Sequence, residues 1–325
     1  MKKLVTLIIP AFNEEKSLPV LLDRLGAVAD SVPDYRMEFL FINDGSQDDT
    51  ARILSEATRA DERVSVINLS RNFGKEVAVA AGLDNADGDA VVIIDADCQE
   101  PPELIPEMIH YWEQGYDDVY ARRHKNGGGK IANAGSKLYY RMLQRMARTE
   151  IQVDTSDFRL FSRRCMLALR EIREASRQNK AIFSWIGYKK KEIVYEPAER
   201  VGGESKWSVG WLSPGNSLVN LAIDGFTSAS TLPLRFASIT GFVVCFVAFV
   251  YMAIIIIQTL CGFHPSAGYP SLMACVLFLG GLQLLFLGLL GEYIGRIFVE
   301  TKRRPLYLIE DMHRAATAVS DGSTS

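Results

Sequence analysis

The fold is decided by a short apolar run that ends in acids, Val91-Val92-Ile93-Ile94-Asp95-Ala96-Asp97-Cys98-Gln99-Glu100-Pro101-Pro102-Glu103. Four consecutive β-branched residues are typical of a strand that is covered on both faces, as in a parallel sheet. Ligands bind at the carboxyl edge of such sheets. Asp95 and Asp97 could share Mg²⁺ or Mn²⁺ there, with Gln99 as a third oxygen ligand. The alternative is that both aspartates only end a strand and begin a turn.

The composition divides the chain into two parts. The sequence has 325 residues, a net charge of -3 and 23% charged residues, yet residues 236–298 are almost free of charge. No strongly basic region indicates a nucleic-acid partner, and the five cysteines include no Cys-X-X-Cys pair, which argues against a disulfide framework or a zinc site. The apolar run after Lys2 and Lys3 is too short for a signal peptide, so we expect the N-terminal domain in the cytoplasm.

Strands and helices alternate through the first hundred residues. Apolar runs predict strands at 4–9, 39–42, 64–68 and 91–94, and helical spacing predicts helices between them. Ser17 is expected to cap the first helix, and Asp48 and Asp49 to start the second. This alternation predicts an α/β fold with a parallel sheet and helices on both faces. Weaker signals predict a helix at 103–112 and strands at 118–121 and 191–195.

Polar side chains follow each of the first four strands, in the layout of a nucleotide-sugar site. They are Asn13 and Glu14, then Asp44, then Arg71 and Lys75, and finally Asp95, Asp97 and Gln99. Acids can bind a base and ribose, cations and a metal can neutralise a diphosphate, and the turn at Gly74 allows close backbone approach. Each acid could instead cap a helix. A metal that assists a diphosphate leaving group indicates group transfer, with a separate base for the acceptor.

Cations and three glycines are interleaved in residues 122–130. This segment is interpreted either as a loop that closes on an anion or as a solvated basic turn.

Two uncharged runs near the C-terminus predict a membrane hairpin. Residues 236–260 and 271–290 are each long enough to cross a hydrocarbon core of roughly 30 Å. Gly280, Gly281 and Gly288 would permit close helix packing. Lys and Arg flank the pair but are absent from 261–270, which places both termini on the cytoplasmic side. The alternative is a buried helical pair of a soluble protein. Residues 212–230 predict a helix in the membrane interface or, alternatively, an amphipathic packing helix.

Several motifs together resemble a known family. The segments 9–15, 43–46, 70–75 and 95–103 resemble family 2 glycosyltransferases with a GT-A fold. Asp157-Phe158-Arg159-Leu160, Gly203-Glu204-Ser205-Lys206, Asp224-Gly225-Phe226-Thr227-Ser228 and Gly291-Glu292-Tyr293-Ile294-Gly295-Arg296 are similar to the polyisoprenyl-phosphate glycosyltransferases. Within that group, the chain is most similar to the bactoprenol glucosyltransferases of O-antigen modification.

The resemblance implies a role for each matching residue. Asp157 becomes the catalytic base or the acid that orients the acceptor, with Arg159 beside it, and Asp97 and Gln99 hold Mg²⁺ or Mn²⁺ with support from Asp95. The nucleotide-sugar site comprises Pro10, Phe12, Asn13, Glu14, Asp44, Arg71, Gly74, Lys75, Asp95 and Ala96. The lipid-phosphate residues are Arg123, Lys130, Ser136 and Arg200. The family's second arginine falls near Asn126, so Lys125 or Lys130 would replace it.

The function implied is inverting transfer of a hexose, glucose from UDP-glucose, to undecaprenyl phosphate at the cytoplasmic leaflet of a bacterial inner membrane. Other donors, such as UDP-GlcNAc, GDP-mannose or UDP-aminoarabinose, remain open. So does an inactive scaffold for a partner such as a flippase. The family also implies a homo-oligomer. A transporter is disfavoured because neither span contains an ionisable residue.

The predicted organisation has four parts. Residues 1–211 form a cytoplasmic GT-A domain, 212–235 juxtamembrane helices, 236–298 two transmembrane helices at about 236–260 and 271–294, and 299–325 a cytoplasmic tail.

Overall fold

The computed structural model describes residues 2–123, 155–175, 177–196, 268–314 and, with short gaps, 237–257. The predicted juxtamembrane helices at 212–235 and the polar residues 315–325 lie outside these ranges. The described residues divide into two compact units. The first contains the N-terminal part of the chain and residues from Arg304 onward, and the second contains the hydrophobic segment between them.

An eight-stranded sheet forms the first unit, in the order β7-β5-β6-β4-β1-β2-β3-β8. Its strands are β1 Leu4–Ala11, β2 Arg36–Asn43, β3 Val64–Leu69, β4 Ala90–Ile93, β5 Asp118–Arg123, β6 Thr155–Ser162, β7 Lys190–Tyr195 and β8 Ile309–His313. The first four pair in parallel, as the sequence predicts. Their carboxyl ends therefore lie along one edge of the sheet.

The sheet also contains two antiparallel strands that the sequence does not predict. β6 runs antiparallel between β4 and β5, and β8 runs antiparallel to β3 at the edge. The sequence around Asp157 suggests only a polar cluster, because its charges interrupt the apolar pattern. The alternation typical of a strand is nevertheless present, since Phe158 and Leu160 pack on one face and Phe161 on the other.

Helices cover both faces of the sheet, as predicted. They are α1 Leu18–Ser31, α2 Thr50–Ala60, α3 Lys75–Asn85, α4 Ile105–Glu113, α5 Arg163–Arg170 and α6 Asn179–Trp185, with a 3₁₀ turn at Pro102–Leu104. Residues of α1, α2 and α4 share a buried cluster with Leu7 and Ile9 of β1, and residues of α3, α5 and α6 share another with Ile8. Successive residues of β1 thus enter opposite layers, as expected for a sheet buried on both sides.

The first two helices begin with different chemistry from that expected. Ser17 occupies the position before α1, but its hydroxyl donates to the carboxylate of Glu14 at 2.7 Å and does not cap the helix. Asp48 accepts the backbone N–H of Thr50 at 3.0 Å, whereas the side chain of Asp49 forms no cap. The helix α2 therefore begins where the sequence predicts, at Thr50 after Asp48 and Asp49, and Asp48 is the aspartate whose side chain accepts a backbone N–H there.

The second unit contains α7, Tyr269–Thr301, and helical residues between 237 and 257. Among the described residues, one helical segment, Phe278–Thr301, has the length and composition to cross a membrane, and Ile239–Tyr251 is apolar but shorter. Among the described residues, no atom lies within 4 Å of a Cβ built on Gly280, Gly281 or Gly288, so the helix packing predicted at these glycines stays a prediction. Gly241 instead faces Phe286, whose ring would lie 3.8 Å from such a Cβ.

After α7, the chain returns to the sheet of the first unit. The carbonyl of Leu308 accepts the N–H of Ser70 at 3.0 Å, and β8 follows along β3. The hydroxyl of Tyr307 donates to Asp84 at 2.9 Å, and Arg314 pairs with Asp87 at 3.1 Å. The predicted tail at 299–325 therefore contains a strand of the sheet.

Candidate active site

The loops after β1 and β2 meet at the carboxyl edge of the sheet. Asn13 has a positive φ of 56°, which turns the chain sharply after β1. Its N–H donates to the hydroxyl of Ser46 at 3.0 Å, and its carboxamide oxygen accepts the N–H of Gln47 at 2.8 Å. Pro10 lies within β1, and Phe12 is half-buried just after it. The predicted nucleotide residues of the first loop are thus fixed against the second.

The carboxylate of Asp44 holds the third loop. It is 2% exposed and accepts the N–H of Phe73 at 2.7 Å and that of Gly74 at 2.9 Å. The two loops approach so closely that a Cβ on Gly45 would lie 2.5 Å from the carbonyl carbon of Arg71. Asp44, predicted to contact a nucleotide, therefore also positions the loop that carries Arg71 to Lys75.

Two residues of this loop face open space. The guanidinium of Arg71 lies exposed, 4.0 Å from the ring centre of Phe73, and donates to the carbonyl of Asn72. Gly74 has a φ of 96°, and a Cβ there would meet nothing within 4 Å. The arrangement leaves room for a ligand beside an exposed cation.

One ammonium joins two carboxylates at the centre of the edge. Nζ of Lys75 lies 2.7 Å from Asp95 Oδ2 and 2.9 Å from Asp157 Oδ2. Asp95 follows β4 and Asp157 lies on the adjacent strand β6, so the first residue of α3 bridges two strands. Lys75, predicted to bind the nucleotide sugar, pairs here with protein carboxylates.

Asp97 and Gln99 lie on a tight turn after β4. Oδ1 of Asp97 accepts the N–H of Gln99 at 3.1 Å, and Cys98 between them has a positive φ of 61°. The sulfur of Cys98 is buried near the carbonyl of Ser17, so this residue points away from the site. Ala96 packs its side chain into the hydrophobic core, and its place in the nucleotide-sugar site stays a prediction.

The donors at this turn suit a hard divalent cation, although they do not form an all-acid cluster. The described residues contain no group of three His, Cys, Asp or Glu side chains that could hold a metal. Asp97 and Gln99 offer a carboxylate and an amide oxygen, ligand types that Mg²⁺ and Mn²⁺ accept. Oδ2 of Asp95 accepts a hydrogen bond from Lys75, and the supporting role of Asp95 at a metal stays a prediction.

Asp157 and Arg159 lie two residues apart on β6 and serve different purposes. Asp157 is 9% exposed, and its Oδ1 has no hydrogen-bond partner among the described residues. Arg159 is 1% exposed, donates to Asp118 at 3.4 Å and lies 4.7 Å from the ring centre of Phe183. Arg159, predicted to be catalytic, is therefore sealed inside the protein and can act on a substrate only through its neighbours.

Glu100 is a buried acid of this site for which the sequence predicts no role. This residue is 2% exposed, and its carboxylate accepts the N–H of Asp95 at 3.1 Å. The sequence does contain one indication of this position. Glu100 lies between the acidic turn and Pro101-Pro102, so its carboxylate has to lie close to the site.

The surroundings shift the pKa values of these acids in opposite directions. Burial and the nearby Asp95 raise the pKa of Glu100 to about 8, and burial also raises the pKa of Asp95 despite the opposing charge of Lys75. Burial disfavours the charge of Asp157, but Lys75 and Lys180 outweigh it and hold the pKa of that carboxyl below its usual value. Burial likewise opposes the charge of Lys75, yet the surrounding carboxylates raise its pKa. The site thus holds an ionised Asp157 next to a lysine cation.

The predicted lipid-phosphate residues are only partly described. Arg123 ends β5, and one of its guanidinium nitrogens lies 3.4 Å from Gln99 Oε1, which places it beside the acidic turn. Lys130, Ser136 and Arg200 lie outside the described residues.

Comparison with known proteins assigns the family. Residues 6–169 match the glycosyl transferase family 2 model, so the chain belongs to that family and is a glycosyltransferase. Residues 232–297 match the GtrB C-terminal hairpin. The chain is 42% identical over 311 residues to the SfII prophage-derived bactoprenol glucosyl transferase of Shigella flexneri, covering 95% of this chain and 98% of the relative. It is 39% identical to the uncharacterized glycosyltransferase sll0501 of Synechocystis sp., covering 95% of both chains. The resemblance stated from the motifs is confirmed.

The Asp44 contacts predict a loss of loop order on substitution. Asp44→Ala removes the acceptor of two backbone N–H groups, and each unpaired group costs about 1–3 kcal/mol where it stays buried. We expect a lower unfolding temperature and faster tryptic cleavage after Arg71, measured by thermal unfolding and limited proteolysis. Asp49→Ala, on the exposed side of the preceding loop, is the matched control. Equal cleavage rates in the two variants would show that Asp44 does not hold the loop.

The raised pKa of Glu100 predicts a pH dependence of stability. A carboxyl with a raised pKa binds more protons in the folded than in the unfolded protein, so stability falls as pH rises from about 4.5 to about 8. Glu100→Gln should flatten this fall in thermal unfolding measured with a chelator present. Glu107→Gln, on the exposed face of α4, should retain the wild-type curve. An unchanged slope in Glu100→Gln would contradict the prediction.

Proposed function

We propose that this glycosyltransferase transfers a hexose, glucose from UDP-glucose, to undecaprenyl phosphate at the cytoplasmic leaflet of a bacterial inner membrane. The observation that carries the proposal is the similarity to bactoprenol glucosyl transferase over 95% of the chain, which includes both the catalytic domain and the hairpin. The product would be a polyprenyl-phosphate sugar that serves cell-surface glycan modification.

The donor would bind at the edge formed by the loops after β1 to β4. The exposed guanidinium of Arg71 and the open turn at Gly74 suit a diphosphate. Asp97 and Gln99, supported by Asp95, would hold Mg²⁺ or Mn²⁺, which neutralises charge on the departing diphosphate. Asp44 and the loop of Asn13 would line the nucleoside end.

The acceptor phosphate would be its own nucleophile. A phosphomonoester is largely a dianion near neutral pH, because its second pKa is about 6. One phosphate oxygen attacks the anomeric carbon, the bond from that carbon to the UDP oxygen breaks, and the configuration inverts. Asp157 would act mainly by positioning, with its unpartnered Oδ1 available to the acceptor side of the reaction. Arg123 would lie near the lipid phosphate, together with Lys130, Ser136 and Arg200.

The hairpin would hold the enzyme at the membrane where its acceptor resides. α7 exposes large apolar side chains along its length, including Leu272, Leu284 and Leu287, each at least 64% exposed. Such a surface suits lipid, and the distribution of Lys and Arg supports cytoplasmic termini. Residues 212–235 would lie at the interface. We expect a homo-oligomer, and a flippase would be a fitting partner for the product.

Other members of the same reaction class remain alternatives. UDP-GlcNAc, GDP-mannose and UDP-aminoarabinose offer the same diphosphate chemistry, and a donor panel separates them. An inactive membrane scaffold is the alternative from another class, and it is disfavoured because Asp44, Asp97, Gln99 and Asp157 are all present at one edge.

The metal proposal predicts activity that depends on the acidic turn. Purified enzyme should convert UDP-glucose and undecaprenyl phosphate to glycolipid only with Mg²⁺ or Mn²⁺. The double variant Asp97→Ala, Gln99→Ala should lose at least about 100-fold in rate, since metal stabilisation of a leaving group is worth several kcal/mol. Asp23→Ala, an exposed acid of α1, is the control and should keep the wild-type rate. Equal turnover by the double variant would overturn the metal site.

The hairpin proposal predicts which cysteine faces the outside. Cys261 lies between the two predicted spans, so a membrane-impermeant maleimide should label it in right-side-out vesicles. Labelling should vanish in Cys261→Ser, and a cysteine introduced as Ser320→Cys should react only after permeabilisation. Labelling at position 320 in sealed vesicles would exclude cytoplasmic termini.

A further inference from the structure

We propose that Lys75 is a positioning residue for Asp157 and not a ligand of the donor diphosphate. The inference rests on the proposed function, because it assigns Asp157 to the acceptor side of the transfer. It departs from the sequence expectation, which placed Lys75 with the nucleotide-binding cations.

The backbone of Lys75 is held in place by the residues that precede it. It is the first residue of α3, directly after Phe73 and Gly74, whose N–H groups both bond to Asp44. Its ammonium reaches 2.7 Å from Asp95 and 2.9 Å from Asp157. The side chain therefore spans a fixed distance between a helix start and two strands, which limits the orientations it can adopt.

The ammonium also selects the orientation of Asp157. Oδ2 is held by Lys75, while Oδ1 is buried without a hydrogen-bond partner among the described residues. A buried, unpaired carboxylate oxygen is costly, so it persists where the surroundings hold it or where a ligand completes it. Without the ammonium, rotation of the carboxylate would remove Oδ1 from the place at which the acceptor meets it.

Of the described cations near Asp157, Lys75 is the one that forms an ion pair with it. Lys180 and Arg159 also act on Asp157 electrostatically, and Glu76 lies near enough to oppose them. Asp157 forms an ion pair with Lys75, whereas Arg159 is directed to Asp118. The side chains of Arg71 and Lys75 are both exposed, but the ammonium of Lys75 is paired with two carboxylates, whereas the guanidinium of Arg71 donates to a backbone carbonyl. Arg71 is therefore the better placed cation for a diphosphate.

A double-variant cycle tests the inference. The rate of glucose transfer and the affinity for UDP are measured for wild type, Lys75→Met, Asp157→Asn and the variant with both changes. We expect Lys75→Met to lower kcat about 10- to 100-fold, with the Kd for UDP changed less than about threefold. In the Asp157→Asn background, Lys75→Met should lower kcat less than about threefold. The two substitutions should not add up, because each one alone already removes the ion pair between Lys75 and Asp157. Lys180→Met, a cation near Asp157 without an ion pair to it, should lose less than Lys75→Met.

Two results would overturn the inference. A UDP affinity that falls at least tenfold in Lys75→Met would make Lys75 a diphosphate ligand, and losses that multiply in the double variant would make the two residues independent. The thermal unfolding temperature provides a second test that does not depend on enzymatic activity. Lys75→Met should lower the unfolding temperature, and Asp157→Asn should restore part of that loss. If wild type transfers no sugar to polyprenyl phosphate, the proposed function fails. The unfolding temperatures still test the inference, since coupled shifts would show that Lys75 holds Asp157 and additive shifts would show that it does not.

Discussion

The geometry of the site depends on the Asp44 carboxylate and the two backbone N–H groups it accepts. Those groups belong to Phe73 and Gly74, which directly precede α3, so the bonds fix where the helix begins. The first residue of that helix is Lys75, and its ammonium reaches the ends of β4 and β6. An acid at the end of β2 thereby influences the placement of an acid on β6, although no contact between them is required. A carboxylate that accepts two backbone donors is well suited to this purpose, because the bonds are directional and charge-assisted.

A second constraint is the number of acids that share this edge. Asp95, Glu100 and Asp157 lie around one lysine, and they cannot all carry a full charge at low cost when buried. The structure separates them, since the pKa of Glu100 is raised to about 8 while that of Asp157 is lowered. Neighbouring carboxyl groups with opposite shifts are typical of sites in which each has a distinct task. An ionised Asp157 suits a group that orients an acceptor, and a protonated Glu100 limits repulsion beneath the acidic turn.

The sequence predicted the first four strands and their helices because each depends on local patterns, such as the β-branched run before Asp95. It also predicted that the loops after these strands share an edge, which follows from parallel pairing alone. It missed β6, because Asp157 and Arg159 look like exposed residues until Lys75 and Asp118 are placed beside them. Lys75 and Asp118 are distant in sequence from β6, so no local sequence pattern predicts that they pair with Asp157 and Arg159. The inward position of Ala96 and the burial of Glu100 depend on packing in the same way.

β8 shows that the catalytic unit is not continuous in sequence. The chain leaves the first unit before the apolar hairpin and contributes to it again from Arg304 onward. Ile309–His313 then covers the edge of β3, which would otherwise present unpaired backbone groups. The carbonyl of Leu308 bonds to Ser70, which begins the loop that Asp44 holds at its other end. A sheet edge next to the site is therefore completed by residues that follow the hairpin, so a chain cut before the hairpin would lack both this strand and one anchor of the loop that carries Lys75.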